Sequence, residues 1–145
     1  MSDDFKNMRI KLFEEFGNSR EIDISFKGGN AFGVFHSNRE RFENWIVKES
    51  IDDEARGFFA MFPDRKLLPI AVLKNLNVED KIRGQGLGND LMRAFLSEAS
   101  DAKNVVLIAD VLEKNTFNIV EWYAGWGFTQ IGHAREHPVM VLNNY

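Results

Sequence analysis

Hydrophobic and polar residues alternate along two early segments of the chain. Residues 8–13 (MRIKLF) and 21–26 (EIDISF) each carry hydrophobic side chains at every second position. This period is typical of a strand with one buried face. Gly17 to Ser19 lie between the two segments and favour a turn, so the pattern predicts an N-terminal β-hairpin. A short helix around Phe13 and Phe16 is the alternative.

A helix is predicted to follow this hairpin. Ser37 and Glu40 have the spacing of a capping box, in which Ser37 is the N-cap. Phe42, Trp45 and Ile46 then recur at helical spacing and form one hydrophobic face. The pattern therefore predicts a helix that packs this face on the core.

The middle of the chain is rich in hydrophobic residues with turn formers between them. Residues 57–62 (GFFAMF) and 67–73 (LLPIAVL) are typical of two strands, joined by a turn at 63–66 (PDRK). The acidic stretch from Asp52 to Arg56 before them is interpreted as a surface loop. A further strand from Lys74 to Val78 leads into a glycine-rich segment.

In the second half of the chain the hydrophobic period lengthens to that of a helix. One hydrophobic stripe comprises Leu87, Leu91, Phe95 and Ala99, flanked by Met92 and Leu96. Residues 104–111 are nearly all hydrophobic, as in a strand that is covered on both faces. A short helix at 116–126 and strands at 128–134 and 138–144 complete an α/β or α+β fold with a mixed sheet.

Composition narrows the class of protein. The 145 residues fit a single domain, 1–145. The polar N-terminus does not resemble a signal peptide, and no segment has the roughly 20 apolar residues of a membrane helix, so a soluble cytoplasmic protein is expected. The net charge of −4 argues against nucleic acid as a partner. Cysteine is absent and the three histidines lack the spacing of metal ligands, so no metal site is expected.

The segment from Val78 to Met92 (VEDKIRGQGLGNDLM) carries the clearest functional signal. Gly84, Gly86 and Gly88 alternate directly before the predicted helix, and Arg83 precedes them. Glycines before a helix N-terminus let several backbone N–H groups approach one point, where the helix dipole adds partial positive charge. The segment therefore predicts a site for an anion such as a diphosphate.

Two common phosphate-binding motifs do not fit this segment. A Walker loop requires Lys followed by Ser or Thr after its last glycine, where Asn89 and Asp90 stand. Gly84 and Gly86 approximate a dinucleotide motif, with Asp110 as the ribose-binding acid. However, the first glycine does not directly follow the strand, and too few residues remain after Asp110 for the rest of that fold.

The residues 78–88 (VEDKIRGQGLG) resemble the V-x-P-x-x-R-G-x-G-[IL]-G signature of the GCN5-related N-acetyltransferases, the GNAT family, with Asp80 in place of the proline. A second segment also resembles this family, because Tyr123, Gly127 and Phe128 keep its Tyr-x-x-x-Gly-Phe spacing. The resemblance is clearest over residues 58–132.

The family's asparagine departs from its usual place. It commonly stands seven residues before the tyrosine, whereas Asn115 stands eight before Tyr123 and Asn118 stands five before it. Which asparagine contacts the cofactor is therefore open.

The resemblance implies a mostly antiparallel central sheet flanked by helices, and acetyl-coenzyme A as the cofactor. The glycine loop would bind the pyrophosphate through backbone amides, and the preceding strand would pair with the pantetheine arm. The residues that the resemblance assigns to cofactor binding are Leu76, Val78, Arg83, Gly84, Gln85, Gly86, Leu87, Gly88 and Asn115.

The catalytic role of Tyr123 follows from the same resemblance. Tyr123 stands where the family has a general acid, which protonates the leaving thiolate. Asp110, Glu113 and His137 are candidates for the base that deprotonates the amine, and none of them stands out. Asp90 is expected to point away from the cofactor, because two negative groups repel each other.

The resemblance implies an N-acetyltransferase that moves an acetyl group from acetyl-coenzyme A directly to a primary amine, on a small molecule, a protein N-terminus or a lysine. A non-catalytic sensor domain that binds coenzyme A is the alternative, because Asp80 and Asn115 depart from the family pattern. A third hypothesis is a toxin that acetylates aminoacyl-tRNA, and the lack of a basic stripe in the sequence argues against it. A homodimer through the C-terminal strands is common among proteins that the chain resembles.

Overall fold

The architecture is a mixed β-sheet with helices on both faces. The structure is a computed structural model that describes residues 9–15, 19–26, 28–78, 86–111 and 118–144. The strands in these residues are β1 (Arg9–Glu15), β2 (Ser19–Phe26), β3 (Gly29–His36), β4 (Ile70–Val78), β5 (Asn104–Ile108), β6 (Thr129–Ala134) and β7 (His137–Asn143). The helices are α1 (Arg39–Lys48), α2 (Asp53–Ala60), α3 (Asp64–Leu67), α4 (Leu87–Glu98) and α5 (Ile119–Gly125).

The described strands form one sheet in the order β1-β2-β3-β4-β5-β7-β6. Neighbouring strands are antiparallel, apart from β4 and β5, which are parallel. A parallel pair needs a crossover connection, and α4 supplies it between these two strands. This confirms the predicted mixed, mostly antiparallel sheet.

Two hydrophobic clusters lie on opposite faces of the sheet. On one face, Leu91 and Phe95 of α4 and Tyr123 of α5 pack against β2, β3, β4 and β5. On the other face, Phe42 of α1 and Phe59 of α2 pack against β4 and the C-terminal strands. Both faces of the central strands are thereby buried, which explains the continuous hydrophobic run of β5.

Several predicted elements are confirmed. The N-terminal hairpin is β1 paired antiparallel with β2, so the helical alternative near Phe13 is wrong. The hydrophobic stripe in the second half of the chain is the buried face of α4. The expected strands at the C-terminus are β6 and β7, which pair antiparallel.

The prediction of a strand at residues 57–62 is wrong, because α2 covers Asp53–Ala60. Asp52 starts this helix: its Oδ1 accepts the N–H of Ala55 at 3.0 Å. The acidic stretch interpreted as a loop is therefore the first turn of α2, where negative side chains also favour the helix dipole. The predicted turn at 63–66 largely forms α3.

The capping-box prediction is also wrong by one residue. The N-cap of α1 is Asn38, whose side chain accepts the N–H groups of Glu40 and Arg41 at 2.8 Å and 3.4 Å. Asparagine is as good an N-cap as serine, so the adjacent Ser37 gives a competing signal in the sequence. The buried helix face of Phe42, Trp45 and Ile46 is as predicted.

Candidate active site

The parallel strands β4 and β5 separate at their carboxyl ends. Their pairing runs from Ile70 with Asn104 to Leu73 with Leu107, and the described residues show no pair beyond it. β4 continues to Val78 in register with β3. β5 instead stays with β7, and the N–H of Ala109 donates to the Pro138 carbonyl at 2.8 Å. The sheet thus divides here, and we call the opening beyond Leu73 and Leu107 the β4–β5 cleft.

A β-bulge lies where β4 leaves β5. Phe32 of β3 pairs with Asn75 and the next residue, Gly33, pairs with Leu73, so Lys74 is an extra residue on β4. A bulge bends its strand and increases the local twist. It therefore accounts for the divergence of β4 from β5 at this point.

Helix α4 begins beside the last residues of β4. Gly29 of β3 pairs with Val78 of β4. A Cβ atom built on Gly29 would lie 3.0 Å from Leu91 Cδ1 and 3.3 Å from Leu87 Cδ2. The first turns of α4 therefore rest on β3 opposite the end of β4, which brings the helix N-terminus to the carboxyl end of that strand.

Gly86 forms the N-cap of α4 in a left-handed conformation, with φ 82°. The first backbone hydrogen bond of the helix is from the N–H of Asp90 to the Gly86 carbonyl, at 3.1 Å. The amides of Leu87, Gly88 and Asn89 precede this bond and therefore have no acceptor within the helix. This turn is the described part of the predicted anion site, and Arg83, Gly84 and Gln85 lie outside the described residues.

Asp90 has a cationic neighbour on its own helix. Its Oδ1 lies 3.2 Å from Nη1 of Arg93, three residues later. This ion pair draws the carboxylate along the helix and reduces the negative charge near the first-turn amides. The expected orientation of Asp90 away from the cofactor stays a prediction.

Tyr123 lies on α5 and is 6% exposed. It belongs to the same hydrophobic cluster as Leu87 at the start of α4 and Ala109 at the end of β5. Its ring makes an edge contact with Phe128, with 6.0 Å between ring centroids. Gly127 adopts φ 103° just before this phenylalanine, so the Tyr-x-x-x-Gly-Phe spacing also has a structural cause at the end of α5.

Asn118 is the N-cap of α5. Its Oδ1 accepts the N–H of Glu121 at 3.1 Å, which gives this side chain a structural role. The other asparagine, Asn115, lies outside the described residues, as does the candidate base Glu113. The capping role of Asn118 therefore explains its presence without a contact to the cofactor.

The two other candidate bases lie side by side. Asp110 follows β5 and His137 begins β7, and their Oδ1 and Nδ1 atoms are 3.8 Å apart. The N–H of Val111 donates to the same Nδ1 at 3.4 Å. Neutral His137 then carries its proton on Nε2, so this ring presents a donor to its surroundings. The carboxylate of Asp110 is 65% exposed.

His36 is a buried histidine that the sequence did not single out. It ends β3 and is 9% exposed. Burial and, to a lesser extent, the positive charges of Lys74 and Arg41 together lower its pKa from 6.5 to about 4. His36 is therefore neutral near pH 7, on a strand that borders the bulge at Lys74.

Known proteins with similar sequences and structures identify the family. Residues 28–141 match the model of the acetyltransferase (GNAT) domain. This match covers most of the chain, so the chain belongs to the GNAT family. It begins well before residue 58 and includes β3 and α1, which the two sequence motifs did not reach. Acetyl-coenzyme A is the cosubstrate that this membership indicates. Curated protein sequences yield no match.

Solved structures share the fold at low sequence identity. PH1933 from Pyrococcus horikoshii OT3 is 12% identical with a TM-score of 0.54, over 86% of this chain and 65% of that one. An acetyltransferase from Thermus thermophilus is 11% identical with a TM-score of 0.52, over 88% of this chain and 66% of that one. Arabidopsis thaliana Naa50, in complex with the bisubstrate analogue CoA-Ac-MVNAL, is 12% identical with a TM-score of 0.50, over 83% and 70%. The chain thus spans about two thirds of the length of these proteins.

Every helix in the described part of the chain is too short or too polar to cross a membrane.

Proposed function

We propose that this protein transfers an acetyl group from acetyl-coenzyme A directly to a primary amine. The observation that carries the proposal is the position of the α4 N-terminus at the carboxyl end of β4, beyond the point at which β4 leaves β5. In a member of the GNAT family, this arrangement provides an anion site and an open strand edge next to each other.

The residues fit the two polar parts of acetyl-coenzyme A. Beyond Leu73, the edge of β4 that faces β5 has no described strand partner. The backbone of Leu76 and Val78 is thus available to an amide-bearing chain, as in strand addition. A negatively charged pyrophosphate suits the first-turn amides of Leu87 and Gly88 and the left-handed Gly86. Arg83, Gly84, Gln85 and Asn115 are assigned to the cofactor on sequence resemblance.

Bound acetyl-coenzyme A supplies an activated acetyl thioester. We assign Tyr123 as the general acid that protonates the departing thiolate. A free phenol, with a pKa near 10, carries its proton near pH 7, and this pKa is close enough to that of a free thiol, near 8.5, for the proton to be transferred. The burial of Tyr123 in the same hydrophobic cluster as Leu87 and Ala109 supports this assignment, since Leu87 begins α4 and Ala109 directly follows β5.

Of Asp110 and His137, Asp110 is the stronger candidate for the base that deprotonates the amine. In its neutral form His137 accepts a backbone N–H at Nδ1 and keeps a proton on Nε2, so it has no free lone pair to act as a base. The exposed carboxylate of Asp110 can attract an ammonium group and take its proton directly or through water. A cationic amine is therefore the substrate class that this end of β5 favours.

A thiol-release assay with acetyl-coenzyme A and a panel of amines tests the proposal. The panel contains a peptide with a free α-amino group, a lysine peptide with a blocked N-terminus, and small diamines. Turnover with at least one amine, lowered in Asp110→Asn through a raised KM for the amine, is the expected result. Lys48→Gln, a change at an exposed cation on α1, serves as the control and should leave turnover intact.

The same assay separates the non-catalytic alternative. Binding of acetyl-coenzyme A in calorimetry without turnover across the panel would identify a coenzyme-A sensor and refute the proposed catalysis. Absence of any binding would refute both functions. The binding measurement is needed because Asp80 and Asn115 depart from the family pattern.

A further inference from the structure

A second concave surface lies at the other end of the sheet. It has a volume of ≈ 560 Å³ and is lined by Met61, Phe62, Pro63, Arg65, Lys66 and Lys103, and we call it the basic groove. Lys103 directly precedes β5, whereas the β4–β5 cleft lies beyond the carboxyl ends of β4 and β5. The basic groove is therefore separate from the proposed active site.

The first wall of the basic groove is held against α1. Nη2 of Arg39 donates to the Phe62 carbonyl at 3.0 Å, and Nε of the same guanidinium pairs with the carboxylate of Asp64. The ring of Phe62 also packs against that of Phe58, with 5.1 Å between centroids. The segment that carries Met61 and Pro63 is thus fixed from both sides.

Hydrogen bonds also hold the part of the groove that carries Lys66 and Lys103. The N–H of Lys103 donates to the Pro69 carbonyl at 2.7 Å. Nδ2 of Asn104, a residue that is 1% exposed, reaches the carbonyls of Lys66 and Leu67 at 3.2 Å each. The backbones that bear the cationic side chains are therefore preorganised, which lowers the entropic cost of binding a ligand.

The charge of the basic groove opposes that of the whole chain. Three cationic side chains line it, and its described lining contains no acid, although the chain carries a net charge of −4. The nearest acids along the sequence are paired elsewhere, because Asp64 binds Arg39 and Asp101 lies 3.0 Å from Arg20. The groove therefore attracts negatively charged groups.

Hydrophobic surface accompanies this positive charge. Met61 is 79% exposed, and Phe62 and Pro63 follow it in the sequence. Pockets for small molecules usually enclose most of the ligand surface, which a groove with so exposed a wall does not do. An extended segment that projects from a larger molecule suits a groove of this shape better, since the larger molecule can cover the rest.

We propose that the basic groove binds an acidic peptide segment of a partner protein. Carboxylates of the segment pair with Arg65 and Lys103 at the rim, and one apolar side chain of the segment packs against Met61 and Phe62. Because the cations are exposed, the interaction is weak and weakens further at high ionic strength.

The test uses a fluorescein-labelled peptide in which a leucine is flanked on both sides by glutamates. A peptide with lysines in place of the glutamates is the matched probe. Binding is measured by fluorescence anisotropy at low and high salt, and chemical shifts of backbone amides locate the site. The acidic peptide is expected to bind, to shift the amides of Met61, Arg65 and Lys103, and to lose affinity when salt is added.

The double variant Arg65→Glu/Lys103→Glu is expected to bind the acidic peptide at least about tenfold more weakly. Lys48→Glu, a charge reversal in the last turn of α1, is the control and should bind as the wild type does. Met61→Ser tests the apolar contact and should weaken binding without removing its salt dependence. All four residues are exposed, so their variants should remain folded.

Three results would overturn the proposal. The first is absence of binding, and the second is equal affinity of the wild type and the double variant. The third is displacement of the peptide by free glutarate at similar concentration, because a small dicarboxylate would then be the occupant. Acetyl-coenzyme A turnover is not part of this test, so its outcome is independent of the proposed function.

Discussion

Asp52 and His133 join helix α2 to strand β6 through a reciprocal pair of hydrogen bonds. The N–H of Asp52 donates to the His133 carbonyl at 2.8 Å, and Oδ2 of Asp52 accepts the His133 N–H at 3.0 Å. The second carboxylate oxygen caps α2 at Ala55. Gly132 makes room for this contact, since a Cβ atom there would lie 2.5 Å from Asp52 Oδ1. One side chain therefore fixes the helix start and its attachment to the sheet.

Asp52→Ala is accordingly expected to destabilise the fold by about 2 kcal/mol, the sum of a lost N-cap and an unsatisfied backbone N–H. Asp53→Ala is the matched control, because Asp53 is an exposed neighbour that contributes only to the helix dipole, about 0.5 kcal/mol. Urea unfolding followed by circular dichroism measures both. Equal losses in the two variants would show that the bonds to Asp52 contribute nothing.

Two glycines are expected to respond in opposite directions to the same substitution. A Cβ atom on Gly33 would lie 2.4 Å from the Val72 carbonyl oxygen and 2.6 Å from the Phe95 ring, so Gly33→Ala should cost about 2 kcal/mol or more. Gly57 is helical and has open space at its Cβ position, so Gly57→Ala should stabilise by about 0.5–1 kcal/mol. Thermal unfolding of both variants against the wild type gives the two signs directly.

His36 predicts a loss of stability in acid. Its pKa falls from 6.5 in the unfolded chain to about 4 in the fold, so unfolding takes up a proton between these values. Its contribution is complete above pH 6.5 and is lost as the pH falls toward 4, by up to about 3 kcal/mol.

His36→Gln removes the titration but keeps a polar side chain. The free energy of unfolding of the wild type should therefore fall more steeply with decreasing pH than that of His36→Gln. His133 and His137 are present in both proteins and cancel in the comparison. Parallel pH profiles for the two proteins would contradict the assigned pKa of His36.

Gly86 is expected to be required for binding of acetyl-coenzyme A. At φ 82° an alanine is strained by about 1–2 kcal/mol, so Gly86→Ala should shift the first turn of α4 and weaken binding about tenfold. Asparagine tolerates the left-handed conformation, so Gly86→Asn should retain more affinity. Calorimetric titration compares them. If both variants bind as the wild type does, this turn does not hold the cofactor.

Tyr123→Phe is expected to lower kcat about a hundredfold while the Kd for acetyl-coenzyme A changes little, since only the proton donor is lost. Phe128→Leu is the control for packing, because it alters the ring contact with Tyr123 but leaves the hydroxyl in place. Steady-state kinetics and calorimetry report both quantities. An unchanged kcat in Tyr123→Phe, or an equal loss in Phe128→Leu, would refute a general acid at this position.

Much of the fold could be predicted from local sequence patterns. The period of two in residues 8–13 and 21–26 and the helical stripe of α4 are each long enough to reveal a periodic pattern, and such a pattern predicts a strand or a helix with one hydrophobic face. The segments that were predicted wrongly are short and hydrophobic, such as 57–62. The aromatic residues there are typical of a strand. The segment is helical because Asp52 caps the helix and also binds the N–H of His133 on β6.

The N-terminal region illustrates a different limit. β3 alternates between buried Ala31, Gly33 and Phe35 and less buried neighbours, but two glycines weaken its strand pattern in the sequence. Its glycines are explained by what lies against them, namely backbone carbonyls of β4 and the side chains of Leu87, Leu91 and Phe95 of α4. Tertiary contacts thus decide which residues this strand can carry.

For the candidate active site, residue type and spacing along the chain are enough to predict the glycine-rich segment, the tyrosine on α5 and the family that both resemble. Only the folded chain shows where β4 leaves β5, that Lys74 forms the bulge, and that Asp110 and His137 are neighbours. The same holds for the groove that Met61, Arg65 and Lys103 share. Such relationships join residues far apart in the chain, and pairing and packing across the sheet create them.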